Sequence, residues 1–259
     1  MSSQTMTMDD QQMSPPRRAG TVAVAGLASK GAARIVGALY LAVAIFGGFA
    51  EGFVEPKMYA AGDAATTAFN VVSNAGLVRL GVASDLLDQV FYILTAMAFY
   101  QLLKHVSQRA AAALLIFAGL AVATASLNTL FLFEGLQIAT SSTYLAAWGT
   151  TGVNAMVLLM LDMQHYGLLI AQIFFGLWLA PMGYLAYKSG QFPKALGVVL
   201  IVAAGCYLVD TFAAFLAPGF GQMIHGVVVI PCIIGEVWMV LYLLTVGVRL
   251  PKATVPAKA

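Results

Sequence analysis

Long apolar runs separated by short polar segments dominate the sequence. Six of these runs hold about 20 mostly apolar residues each, the length that an α-helix needs to cross the hydrocarbon layer of a bilayer. The pattern predicts an all-α fold, a polytopic membrane bundle of six transmembrane helices within residues 33–250. The six predicted spans cover approximately residues 35–54, 78–103, 110–133, 166–187, 195–216 and 226–248.

The charged residues outside these runs predict the orientation of the bundle. Cytoplasmic loops of membrane proteins carry an excess of Lys and Arg. With six spans and a cytoplasmic N-terminus, 11 of the 13 Lys and Arg residues lie inside, and only Lys57 and Arg79 lie outside. Both termini are therefore predicted to be cytoplasmic, with residues 1–32 as a disordered tail and residues 251–259 as a second tail.

The segment 144–164 is the ambiguous part of the pattern. It is apolar for only about nine residues before it reaches Asp162 and His165. A seventh span here would leave 6 basic residues inside and 7 outside, which removes the charge bias. We therefore predict that this segment is an external interfacial helix leading into span four.

Composition excludes several classes of function. Of the 259 residues, 61% are hydrophobic and 9% are charged, which is outside the range of a water-soluble enzyme. A net charge of +2 provides no basic surface for nucleic acid, so no nucleic-acid partner is expected. Neither Cys206 nor Cys232 has disulfide or zinc spacing, and nucleotide and haem motifs are missing, so no metal and no cofactor is predicted. The expected partner is the lipid bilayer, and the oligomeric state stays open.

Acidic residues inside the predicted spans are the strongest functional signal. A carboxylate in the hydrocarbon layer costs several kcal/mol, so each one needs a partner, a cavity or a proton. At about 1.5 Å per residue, five acids lie roughly 5 to 15 Å below the external ends of their helices. These five are Glu51, Asp85, Asp88, Asp210 and Glu236.

Helical spacing arranges the polar residues in three stripes, one on each of three spans. The stripes are Gly47, Glu51 and Glu55 in span one, Asp85, Asp88, Tyr92 and Thr95 in span two, and His225, Cys232 and Glu236 in span six. Because all three lie at a similar depth, we predict that they face a shared pocket that opens to the outside. The candidate pocket residues are Glu51, Asp85, Asp88, Tyr92, His165, Asp210, His225 and Glu236.

Other interpretations of these residues stay open. Asp85 could pair with Arg79, and Glu51 could be solvated near the interface, in which case the acids serve packing alone. Asp162 and His165 share one helical face and could form a metal pair or an acid–base pair, although the usual metal-site spacings are missing.

Several stretches of the chain form a recognisable pattern. They include RIVGALYLAVAIFGGFAEGFVEP at 34–56, GDAATTAFNVV at 62–72, VRLGVASDLLDQV at 78–90, a run beginning HYGLLIAQ at 165–219, and IIGEVWMVLYLLTVGV at 233–248. This pattern resembles the bacterial membrane family called domain of unknown function 4386, most loosely over residues 105–160. The resemblance implies a six-span protein of the bacterial inner membrane and assigns no activity. Its motifs carry acids at Glu51, Asp85, Asp210 and Glu236.

One main hypothesis and three alternatives follow for the function. The main hypothesis is a multi-pass membrane protein that binds a small or amphiphilic molecule in an outward-facing acidic pocket. An intramembrane enzyme would use a protonated Asp210 or Glu236 as general acid. A proton- or ion-coupled transporter would also need a polar route through the cytoplasmic half. A scaffold or partner subunit would act through its helix faces, and whether the protein is an enzyme is left open.

Overall fold

A computed structural model describes residues 29–249 of the chain. Most of the predicted tail 1–32, and all of the predicted tail 251–259, lies outside the described residues. Ser29 caps the first helix, because its hydroxyl oxygen accepts a hydrogen bond of 3.0 Å from the Ala32 backbone N–H. Span one therefore begins at Lys30, ahead of the apolar run, since the cap and not the hydropathy determines where the helix starts.

The described residues form eight α-helices and one π-helical turn, with no strand among them. Six helical stretches are long and apolar enough to cross a membrane, which confirms the prediction of an all-α, six-span bundle. The π-helical turn Ala50–Val54 joins the first two helices within span one. The helices are α1 (Lys30–Phe49), α2 (Glu55–Met58), α3 (Ala64–Ser73), α4 (Ala75–Leu103), α5 (Gln108–Thr140), α6 (Ser142–Ser189), α7 (Lys194–Leu216) and α8 (Pro218–Thr245).

The six long helices form a closed ring. Each of α1, α4, α5, α6 and α7 packs against the next, and α8 returns to pack against α1. Gly247 lies beside the backbone of Lys30, so both ends of the described chain meet at one end of the bundle, as an even number of spans requires. We call this end the inner end and the opposite end, which carries α2 and α3, the outer end. The charge bias predicts that the outer end is external.

A seam of small residues brings α6 and α7 into backbone contact. A Cβ atom on Gly183 would lie 2.6 Å from the carbonyl oxygen of Gly197, and one on Gly176 would lie 2.9 Å from that of Ala204. The small residues recur every seven positions on both helices, the period of helices that pack along a common line. This seam places Trp178 of α6 and Tyr207 of α7 on neighbouring walls of the bundle interior.

The interior is divided into three layers. The inner half is a packed apolar core in which Trp178 contacts Tyr40 and Phe99 edge-on, with ring centroids 5.6 and 6.1 Å apart. A smaller apolar core at the outer end joins the tip of span one to α3, α5 and α6. Most of the buried polar side chains lie between these two cores, and they include Ser84, Asp85, Asp88, Gln89, Asn128, Thr129, Gln164, Asp210 and Thr211.

The region predicted as a separate interfacial helix is helical but continuous with span four. Only Gly149, with φ 65° and ψ 174°, has non-helical angles within α6. From residue 150 to Ser189 the helix therefore extends for about 60 Å, roughly twice the thickness of the hydrocarbon layer. Val153, Val157 and Leu161 bury their side chains in the outer core. These three residues are thus covered by protein, whereas Leu145, Trp148 and Leu159 of the same segment stay exposed.

Candidate functional site

A cavity of about 540 Å³ lies in the outer half of the bundle, above the inner core. Residues of α1 and α8 form two of its walls, and α4, α6 and α7 close it from behind. Three carboxylic acids line it, so we call it the acidic cavity. Its lining residues are Val43, Ala44, Gly47, Gly48, Glu51, Gly52, Asp88, Gln89, Tyr92, Phe175, Trp178, Tyr207, His225, Val229 and Glu236.

Glu236 of α8 is held at the bottom of the cavity by two tyrosines. The Tyr40 hydroxyl donates a hydrogen bond of 2.9 Å to one carboxylate oxygen, and the Tyr207 hydroxyl donates one of 2.8 Å to the other. The two tyrosines belong to α1 and α7, so Glu236 connects three helices. Hydrogen bonds to both oxygens orient the carboxyl group and reduce the free-energy cost of burying it.

Asp85 and Asp88 of α4 are joined through Gln89. The Gln89 amide Nε2 donates to Asp85 at 3.2 Å and to Asp88 at 3.0 Å. Asp85 also accepts a short hydrogen bond from the Thr129 hydroxyl of α5. Asp85 is therefore paired with these two neutral residues, and the pairing with Arg79 considered from the sequence is not observed. Asp85 supports the cavity wall, whereas Asp88 reaches the cavity itself.

Gly47 makes room for the Asp88 carboxylate. A Cβ atom at Gly47 would lie 3.2 Å from the Asp88 carboxylate carbon, closer than an ordinary van der Waals contact. Gly48 and Gly52, the next glycines along the cavity wall, have no heavy atom within 4 Å of such a Cβ position. Span one is thus close to α4 at Gly47 and open at the two following glycines.

Three polar atoms at the cavity wall have no hydrogen-bond partner among the described residues. They are the Tyr92 hydroxyl, the Asp88 oxygen Oδ1 and the Gln89 oxygen Oε1. Their side chains are 6%, 8% and 4% exposed, respectively, so bulk water does not satisfy them directly. An unsatisfied buried polar atom costs about 1–3 kcal/mol, and these three atoms have unused hydrogen-bonding capacity at the cavity wall.

Asp210 lies next to the acidic cavity, paired with a histidine that lines it. The His225 nitrogen Nδ1 is 3.0 Å from each Asp210 carboxylate oxygen. Asp210 and His225 also line a second cavity of about 290 Å³, nearer the outer end, together with His165. His225 therefore borders both cavities and is exposed at their rim, with 57% of its side chain accessible.

His165 belongs to the contact between α6 and the tip of span one. Its Nδ1 atom is 3.3 Å from Glu55, and its ring stacks on Tyr59 with centroids 5.2 Å apart. The Tyr59 hydroxyl donates a hydrogen bond of 2.6 Å to Asp162. Burial and this hydrogen bond to the carboxylate raise the pKa of Tyr59. Asp162 and His165 therefore both belong to this contact between α6 and span one. Neither of them lines the acidic cavity.

The π-helical turn explains why Glu55 leaves the stripe predicted for span one. Glu51 lines the acidic cavity, but Glu55 points toward His165. A π-helical turn contains more residues than an α-helical turn, so every residue after it is rotated relative to the α-helical pattern. The spacing i, i+4, i+8 therefore holds from Gly47 to Glu51 and fails after Ala50–Val54.

The structure brings five of the eight sequence-predicted pocket residues to the acidic cavity, namely Glu51, Asp88, Tyr92, His225 and Glu236. Asp85 and Asp210 each contact a lining residue from behind, and His165 lines the second cavity but not the acidic one. The sequence interpretation missed Tyr40, Gln89 and Thr129. Tyr40 had a signal, because it lies seven residues before Gly47 and eleven before Glu51, on the same helical face. Thr129 had none that distinguishes it from the other hydroxyl residues of span three.

Metal binding gains no geometric support from the described residues. No group of three or more His, Cys, Asp or Glu side chains within 29–249 is placed to hold a metal ion. The acids are instead spread over several walls, and His165 and His225 each face one carboxylate.

Comparison with known proteins identifies the family. The family described as Domain of unknown function (DUF4386) matches residues 35–247, most of the chain. The chain belongs to this family. An uncharacterized protein of Archaeoglobus fulgidus is 41% identical over 46 residues, which cover 18% of this chain and 28% of that protein. The chain thus spans less than a third of that relative's length, and no solved structure matches the chain.

The four acids that lie in the family's motifs surround one region of the fold. Glu51 and Glu236 line the acidic cavity. Asp85 contacts it through Gln89, and Asp210 contacts it through His225. In this DUF4386 protein, four acids that are far apart in the sequence therefore lie in or directly behind the walls of the same cavity.

Proposed function

We propose that this multi-pass membrane protein binds a small or amphiphilic molecule in the acidic cavity. The observation that carries the proposal is the set of unpartnered buried atoms on Asp88, Gln89 and Tyr92 at the wall of a cavity of about 540 Å³. Ligand sites typically measure about 300–1,000 Å³ and combine apolar walls with a few polar groups. The acidic cavity has both properties.

The charge bias and the family resemblance support a location in the bacterial inner membrane. Lys104, Arg109, Lys188 and Lys194 all lie in the short turns at the inner end. The rule that basic loops stay in the cytoplasm then places the acidic cavity on the external side. In that orientation the ligand comes from outside the cell or from the outer leaflet.

The packing of the inner half favours binding over transport. Below the cavity, Trp178 is 1% exposed, and Phe99, Leu179 and Met182 are completely buried. A transporter needs a second access route on the other side of its binding site. Here that route would have to pass through the aromatic cluster of the inner core. Of the two acids considered for the enzyme hypothesis, Glu236 lines the acidic cavity, and Asp210 pairs with His225 beside it.

The test is to identify what the purified protein carries. The protein is isolated in native nanodiscs and the small molecules enriched over bulk lipid are measured by mass spectrometry, for the wild type and for Asp88→Asn combined with Glu236→Gln. The matched control is Glu134→Gln, since Glu134 lies outside the lining of the acidic cavity. We expect a species that is present in the wild type and the control but absent from the double variant. An empty wild type would refute the proposal.

A further inference from the structure

We infer that the ligand of the acidic cavity is a protonated amine with an apolar chain, which enters sideways between α1 and α8. This inference rests on the proposed function and specifies its ligand class. It is carried by four features of the cavity: the charge of its lining residues, the chemistry of its unpartnered atoms, the aromatic rings beside them, and the shape of its opening.

The lining residues favour a positive charge. Glu51, Asp88 and Glu236 line the cavity, while no Lys or Arg is among its lining residues. Among the residues that the structure describes, the one basic group at the wall is His225, whose Nδ1 atom already faces Asp210. Acids buried together without a cation repel one another, and a cation placed among them removes this penalty. An anionic ligand would add to the same repulsion.

The unpartnered atoms require hydrogen-bond donors. Asp88 Oδ1 and Gln89 Oε1 are both acceptors, and the Tyr92 hydroxyl accepts as well as donates. The Gln89 orientation is determined by its amide Nε2, which donates to both Asp85 and Asp88, so its oxygen must point away from them. An ammonium group with N–H donors satisfies these acceptors, whereas a quaternary ammonium has no N–H to offer.

Aromatic rings complete the environment of the charged group. Tyr92 lies between Trp178 and Phe175, with centroids 4.7 and 5.8 Å away, and all three rings line the cavity. Tyr207 continues this wall, 6.4 Å from Phe175. Aromatic faces attract cations electrostatically, and the attraction is strongest where water is excluded. The carboxylates and the rings therefore act on the same charge.

The opening of the cavity fits an apolar chain. Spans one and six are in contact near Gly37, where a Cβ atom would lie 2.8 Å from Leu243. Toward the outer end, Gly48 and Gly52 have empty space beside them, and Val229 of α8 lines the opposite wall. Glycine and aliphatic residues therefore form part of the border of this gap, together with Glu51 and His225. A chain in this gap would lie in the lipid leaflet while its amine reaches Asp88.

The experiment measures saturable binding of three probes with the same chain to the full protein in nanodiscs, with empty nanodiscs subtracted. The probes are dodecylamine, dodecanol and sodium dodecyl sulfate. We expect saturation by dodecylamine only, with its affinity reduced roughly tenfold or more by Asp88→Asn or Glu236→Gln, the size expected for a lost hydrogen bond to a charged group. Glu134→Gln should leave the affinity unchanged.

A second variant keeps the test decisive if removing a buried acid prevents folding. Gly48→Leu adds an apolar side chain at the opening, where nothing lies within 4 Å of the Cβ position, and leaves all the acids of the cavity in place. We expect it to weaken dodecylamine and leave a short-chain amine, propylamine, unaffected. Saturation by dodecanol or dodecyl sulfate with the affinity of the amine would overturn the ligand class while the proposed function stands. An equal effect of Gly48→Leu on both amines would overturn the sideways entry. If none of the probes binds saturably, the inference is overturned. The proposed function is refuted as well only if the wild type also carries no enriched small molecule in the mass-spectrometric experiment.

Discussion

Replacing Gly183 by alanine should separate α6 from α7 and destabilise the protein. The new Cβ would lie 2.6 Å from the Gly197 carbonyl oxygen, 2.9 Å from Ile201 Cγ1 and 3.0 Å from the Ile201 backbone nitrogen. Two of these three atoms belong to the backbone, so they move only if the helices move apart. Overpacking of this kind costs about 1–3 kcal/mol.

The helix preference of alanine acts in the opposite direction and requires a matched control. Gly→Ala inside a helix stabilises it by about 0.5–1 kcal/mol. Gly205 lies on the same helix as Gly197 and has no heavy atom within 4 Å of a Cβ position, so Gly205→Ala shows this preference alone. We therefore expect Gly205→Ala to be as stable as the wild type or slightly more stable. Gly183→Ala should be less stable than Gly205→Ala by roughly 1–3 kcal/mol, the overpacking cost alone, because the helix preference of alanine is common to both variants and cancels.

The assay is reversible unfolding by sodium dodecyl sulfate in mixed micelles, followed by far-ultraviolet circular dichroism. The free energy of unfolding is obtained for the wild type and both variants under the same conditions. A Gly183→Ala protein as stable as Gly205→Ala would refute the close contact of α6 with α7. Because the same contact positions Trp178 and Tyr207, ligand binding to the acidic cavity should weaken together with stability.

Three further predictions concern individual side chains. Tyr207→Phe removes the donor to one Glu236 oxygen and should lower the free energy of unfolding by about 1–3 kcal/mol, the cost of an unsatisfied buried group, in the same detergent assay. Tyr59→Phe should lower it by about 1 kcal/mol through the lost hydrogen bond to Asp162. Since the folded protein raises the pKa of Tyr59, this contribution is complete below pH 10 and should disappear as the pH rises further, so the wild type and Tyr59→Phe should converge in alkaline buffer. Hydrogen bonds from the Thr66 backbone and hydroxyl lower the pKa of Asp63. The cap that Asp63 forms on α3 is therefore complete above about pH 4 and should be lost on acidification. Hydrogen exchange in α3 should show this acid dependence in the wild type and not in Asp63→Asn.

The number of spans could be predicted because hydropathy gives the candidate segments and the distribution of Lys and Arg excludes a seventh span at residues 144–164. The polar stripe of span two could be predicted for a similar reason, since α4 is regular from Ala75 to Leu103 and keeps the spacing of Asp85, Asp88 and Tyr92. Regular helical geometry is a local property, so it can be read from the order of the residues.

Two other features could not be predicted because they depend on contacts across the fold. The π-helical turn Ala50–Val54 rotates Glu55 away from the cavity, and no residue in this turn signals it. The helix α6 continues on the N-terminal side of residue 166 because Val153, Val157 and Leu161 pack against other helices. The position of Tyr40 opposite Glu236 is likewise set by how α1 crosses α8.

The solid inner core beneath the acidic cavity determines how the site senses membrane voltage. Voltage drops across material of low polarisability, and here that material is the packed half of the bundle that contains Trp178 and Phe99. A unit charge that crosses the whole field changes its energy by about 2.3 kcal/mol per 100 mV. A cation that reaches only Asp88 from the outer end crosses part of the field and gains only that fraction of this energy. Occupancy of the cavity should therefore follow the amine concentration on one side of the membrane and change less with voltage than it would for a cation that crosses the whole field.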